Sequence, residues 1–119
     1  MANPNLVIMT TMQGKTAVAQ LTSGTTSLIT NSAASGVLVK INSLLITNID
    51  GTNSADISAW ILRSSTQYRI AYTIAVPADS TLVLISKDTS IYLEEGDTLQ
   101  LTASASGDLE AVCSYELIS

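Results

Sequence analysis

In the stretch DTLQLTASAS, residues 97–106, apolar and polar side chains take turns without a break. Leu99, Leu101, Ala103 and Ala105 fall on one side and Thr98, Gln100, Thr102 and Ser104 on the other. That period of two fits an extended strand with one buried face and cannot be wrapped onto a helix. The last segment repeats it, with Leu109, Ala111, Cys113, Tyr115 and Leu117 set against Glu110, Ser114 and Glu116. In YRIAYTIAV the expected core face is Tyr68, Ile70, Tyr72, Ile74 and Val76, and Pro77 ends the strand.

Earlier segments follow the same rule less regularly. ADISAWILR puts Ala55, Ile57, Ala59 and Ile61 together. GVLVKINSLLITNID carries a row of Val37, Val39 and Ile41, then Leu45 and Ile49, and the break at Asn42-Ser43 predicts a bulge or a bend. STLVLISK reads as a short, fully covered strand, and KTAVAQLT and TSLIT as strands near the N-terminus. Gly/Asn/Asp/Ser clusters separate these runs. Eight or nine strands in one domain spanning residues 1–119 describe an all-β fold, an antiparallel β-sandwich with the jelly roll as one form of it. Composition agrees: serine and threonine make up about a quarter of the chain and phenylalanine is absent, which suits strands with hydroxyl-bearing outer faces.

Charge narrows the function classes. The net charge is -5, and the five basic residues are scattered, so no stripe is available to neutralise phosphates and no nucleic-acid partner is expected. No apolar run approaches the length of a membrane-spanning helix. The opening MANPNLVIMTTMQGK lacks the basic start and long apolar stretch of a signal peptide, so a soluble protein made in the cytoplasm is expected.

Little in the chain suggests chemistry. Histidine is absent, which removes the commonest general base and zinc ligand, and no nucleophile motif or phosphate loop stands out. No enzyme activity and no cofactor is expected. Glu94-Glu95-Gly96-Asp97 is read as a turn between strands in which Gly96 takes a positive φ, rather than as a catalytic or metal-binding cluster. Asp50, Asn53 and Asp56 are spaced so that calcium coordination has to be weighed, but they lack the ligand pattern of an EF-hand, and Asp50-Gly51 is read as a tight turn. Cys113 is expected to be a small buried hydrophobe rather than a reactive thiol.

Two places are candidate partner contacts. Residues 1–12 are read as an assembly arm held against a neighbouring subunit, with Leu6, Val7, Ile8 and Met9 as its apolar part. Trp60 and Leu62 lie on the row opposite the core face of their strand, so Trp60 either packs under a loop or is an exposed anchor for a partner. A sugar-stacking platform is a third use of Trp60, although Tyr68, Tyr72 and Tyr115 are read as core-facing.

The segments TNIDGTNSADI, VPADSTLVLISKD, YLEEGDTLQLTASA and LEAVCSYE, spread over most of the chain, resemble a family of small virion proteins of tailed bacteriophages, many of them marine or cyanobacterial. The resemblance implies a structural protein without catalytic residues, located in the virion. It also implies other virion proteins as partners, whether the major capsid protein or proteins of the neck or tail, and self-association, for example as a trimer. A capsid decoration or cement protein is the leading expectation. A neck, tail or fibre protein is the nearest alternative, and a module binding host glycans is the alternative of a different class.

Overall fold

The computed structural model describes residues 4–119, which form β-structure with one short 3-10 turn at Lys87–Thr89. Nine strands occur among the described residues: β1 (Met12–Gln20), β2 (Thr26–Thr30), β3 (Leu38–Asn48), β4 (Ala55–Arg63), β5 (Thr66–Val76), β6 (Thr81–Ile85), β7 (Ile91–Leu93), β8 (Thr98–Ala103) and β9 (Leu109–Ile118). One sheet has the order β1-β9-β3-β6, with β7 also paired to β3, and the other has the order β2-β8-β4-β5. Every pairing is antiparallel. The chain changes sheet between β1 and β2, β2 and β3, and β3 and β4, so the two layers are laced together early. The fold is the antiparallel β-sandwich that the alternation predicts.

The core lies between the layers and is built from the alternating rows. Leu99 and Leu101 of β8, Ile57 and Ala59 of β4, and Leu109 and Cys113 of β9 are all inaccessible to solvent. Tyr115 and Leu117 complete their row as partly buried neighbours of this core, as Ile61 does on β4. Register is strongly fixed. Slipping β3 by one residue would turn out Val39, Ile41, Leu44 and Ile46 at roughly 2 kcal/mol each, which consumes most of a domain's usual 5–15 kcal/mol.

The predicted break in β3 is a bulge, because the pairing with β9 shifts between Ile41 and Ser43. It also changes which residues follow into the core. One extra residue reverses the alternation, so Leu44 and Ile46 point inward while Leu45 faces out and Ile49 is exposed, opposite to the row expected from the sequence.

Two further expectations are corrected at the open side of the sandwich, where β5 and β6 are the edge strands. Tyr68, Tyr72 and Ile74 are exposed rather than core-facing, and on β5 only Ala71 and Val76 are buried. The strand has two register shifts against β4, and Thr73 takes a φ of 49°. Its displaced amide is caught by the Ser58 hydroxyl at 2.9 Å. Such a bulge on an edge strand discourages pairing with another chain. Likewise β6 is not fully covered: Val83 is exposed and Ile85 alone is buried.

The β4–β5 hairpin turns on Ser64 and Ser65, with φ of 52° and 63° between the paired Arg63 and Thr66. Two positive φ values mark the tight turn that prefers Asn-Gly. Ser64→Asn with Ser65→Gly is therefore expected to raise stability by about 1 kcal/mol. A urea titration with an unchanged m-value would show it.

Candidate functional site

The acidic turn after β7 is a locked corner. Gly96 has a φ of 91°, as a turn there requires. Asp97, only 1% exposed, accepts from Arg63 Nε at 2.8 Å and Arg63 Nη2 at 2.6 Å, and from the Glu94 backbone N–H at 2.9 Å. Glu94 accepts from the same Nη2 at 2.8 Å. The fork of Arg63 thus meets a carboxylate in the two-point geometry that suits a guanidinium. The Asp97 contacts raise the Arg63 pKa further above its already high ordinary value.

The same corner ties β2 and the β2–β3 loop to the turn. Asn31 donates its backbone N–H to Asp97 O at 2.9 Å and accepts from Gly96 N at 2.7 Å, while its Nδ2 donates to Val37 O at 2.8 Å and Leu93 O at 3.0 Å. Ser35 Oγ donates to Asn31 Oδ1, and Gly36 N donates to Glu95 Oε2. A shallow groove of ≈ 290 Å³ runs over Arg63, Ser64, Glu94 and Gly96. Both Arg63 and Asn31 were beyond local sequence patterns. The nearest signal is a lone cation at the end of a strand.

The second acidic loop also has a structural occupation. Asp50 Oδ1 accepts the backbone N–H of Thr52 at 2.8 Å and of Asn53 at 3.3 Å, which holds the Asp50 pKa below the ordinary carboxylate value. Asp56 sits half-buried at the start of β4. Among the described residues, no three Asp, Glu or Cys side chains converge as a metal site would require. Asn48, 1% exposed, anchors this end from below. Its Nδ2 donates to Asn53 O at 3.0 Å and Val76 O at 2.9 Å, and its Oδ1 accepts from Asp50 N at 2.8 Å.

Trp60 lies outside the core cluster, as alternation predicts, yet it is 4% exposed and cannot be an open anchor. Its cover comes from its own sheet. Nε1 donates to Gln100 Oε1 at 2.9 Å, and the Arg69 guanidinium lies 5.9 Å from the ring centroid and 4.9 Å from that of Tyr72. Gln100 and Arg69 are the register partners of Trp60 on β8 and β5. Cross-strand neighbours thus contribute to closing over the indole. Leu62 is half-buried two residues on.

The arm fares differently. Leu6, Val7, Ile8 and Met9 are 41%, 90%, 72% and 37% exposed, so Val7 and Ile8 are largely open to solvent while Leu6 and Met9 are more than half covered. Its base is held by the chain itself: Thr10 N and Thr11 N both donate to Ser119 O at 2.8 Å, Ser119 N returns a bond to Thr11 O, and the two hydroxyls of Thr11 and Ser119 are in contact. At residues 10–11 the segment is thus tied to Ser119, the residue after β9. The first three residues of the proposed arm lie outside the described residues.

Cys113 is fully buried in β9, and desolvation pushes its thiol up to about 12. Folding thus excludes the thiolate. The stabilisation from this is complete below the ordinary thiol pKa of about 8.5 and is lost as pH rises from there through about 12. A thiol reagent at neutral pH is expected to leave Cys113 unmodified until denaturant is added, and Cys113→Ala should flatten the alkaline decline in stability measured by urea titration.

No helix among the described residues is long and apolar enough to cross a membrane. No protein-family model matches the chain, and no curated protein matches it. Among solved structures, a subunit of the Bacillus endospore appendages, described as a novel family of disulfide-linked pili, is similar with a TM-score of 0.55 over 100% of this chain and 94% of that one, at 12% identity. That similarity is one of fold.

Proposed function

We propose that this chain is a structural subunit of a tailed-bacteriophage virion, a capsid decoration or cement protein that adheres to the major capsid protein. The observation that carries the reading is the arm: an apolar segment with Val7 90% and Ile8 72% exposed, on a sandwich whose polar corners are occupied by their own hydrogen bonds. Water-exposed apolar side chains in a row mark a surface that another protein covers. The strand orders β1-β9-β3-β6 and β2-β8-β4-β5 support classing the sandwich as a jelly roll, an architecture suited to capsid proteins. For the glycan-binding alternative Trp60 is not available as a platform, since it is covered, and the exposed aromatics are Tyr68 and Tyr72 on the edge strand β5 and Tyr92 on β7.

The pilus subunit with a similar fold belongs to a disulfide-linked assembly. Its likeness supports the view that such sandwiches serve as building units. The covalent link does not transfer readily, because the one cysteine of this chain is 0% exposed. Assembly here rests on non-covalent surfaces.

Quantitative mass spectrometry of purified particles tests the assignment. Hundreds of copies per particle are expected for a capsid protein, whereas a dozen or fewer would move it to the neck, tail or fibre. Deleting residues 1–12 should abolish retention on empty shells, and undiminished retention would refute the arm as the contact.

A further inference from the structure

The outward face of the β1-β9-β3-β6 sheet carries an apolar row that the arm does not reach. Val18, Val112, Leu45 and Val83 are consecutive register partners across all four strands. Val18 is 71%, Val83 55% and Val112 39% exposed, and Leu45 is half-buried. A shallow groove of ≈ 430 Å³ opens beside Val18 and Val112. On one flank runs a row of Gln20, Glu110, Thr47 and Thr81, and on the other a row of Thr16, Ser114 and Ser43. Glu110 is the only charge in the three rows. The outward face of the other sheet is unlike this, with Gln100, Trp60 and Arg69 in a polar and cationic row.

We propose that this face is a homotypic interface, covered by the same face of a second copy across a twofold axis. Self-complementarity selects the occupant. A twofold lying in the interface along the apolar row sets Glu110 on β9 against Ser114 of the partner copy, since the two flanks exchange. A twofold along the strands between β9 and β3 sets Glu110 against the partner copy's Thr47, since the strand order reverses. Either way the single carboxylate meets a hydroxyl donor rather than its own mate, and valines and leucines close on one another. With Glu110 as the one charge in the three rows, a strongly charged partner finds little to pair with there. Four strands by three rows measure about 19 × 20 Å, so two faces cover roughly 760 Å² in plan, which places the contact at the small, weakly associating end of protein interfaces.

This deepens only the self-association part of the proposed function, and it favours a twofold dimer over a trimer as the basic unit. Sedimentation velocity on the full chain at about 50 µM should show the dimer, or an even-numbered assembly of it. Val112→Glu should weaken it roughly 100-fold or more with an unchanged circular dichroism spectrum. Should that variant not fold, Val18→Lys on the edge strand carries the same test. A monomeric wild-type chain, a trimer alone, or variants that associate as tightly as wild type (as a dimer formed through another face would) would overturn the proposal. A monomer that still coats shells would sink this face and leave the virion reading intact, whereas a twofold dimer absent from every particle would do the reverse.

Discussion

Arg63→Ala is expected to destabilise the domain by about 3 kcal/mol, or roughly 12 °C in Tm. The magnitude comes from what is left behind. Arg63 is itself 47% exposed on its side chain, so its own charge is cheap to place. Asp97 is not: at 1% exposure, with the guanidinium gone, its carboxylate keeps, among the described residues, the Glu94 N–H alone in a largely desolvated position. Arg63→Lys should lie between, because an ammonium restores the charge but cannot occupy both carboxylate oxygens in one plane. Asp97→Ala in the Arg63→Ala background should cost less than in the wild type, and the coupling from that double-mutant cycle measures the pair. Additive losses would mean that the corner is held by its backbone alone.

Asn48→Ala is expected to cost a similar amount, about 3 kcal/mol. Three backbone groups depend on this amide: the buried carbonyl of Val76, and the carbonyl of Asn53 and the N–H of Asp50 nearer the surface. At a position 1% exposed, water is poorly placed to replace them. Asn48→Asp preserves shape but turns two donors into acceptors facing carbonyl oxygens, so it should be at least as damaging. Hydrogen exchange would localise the effect: amides of the β3–β4 loop and the end of β5 should lose protection first. Uniform loss across both sheets would argue that Asn48 supports the core instead of the loop.

These two sites show where the sequence ceases to be readable. Alternation in β4, β8 and β9 revealed the core because inward and outward residues differ in polarity, and that information is local. After Asn42 the same logic inverted the faces of β3, since a single-residue bulge reverses parity and nothing in KINSLL says how many residues it consumes. In β5 the alternation was present, but a face counts as core only if a strand lies opposite, and β5 overhangs the short edge strand β6. Trp60 was placed on the correct face, yet its cover by Gln100 and Arg69 depends on strand order. Arg63 and Asp97 are 34 residues apart, and Asn31 and Asn48 resemble ordinary turn formers until the loops they hold are seen.

The acidic corners are explained by the backbone they organise, and residues 6–9 and one sheet's outward face are left as apolar surface. That division supports a protein that acts by being covered. Reconstruction of the purified particle by electron cryomicroscopy tests this most directly. The account predicts many symmetric copies in which residues 6–9 are buried against the shell while the turn at 94–97 faces solvent. A chain missing from the particle, or one bound with its arm in solvent and a ligand seated over Arg63 and Glu94, would contradict it.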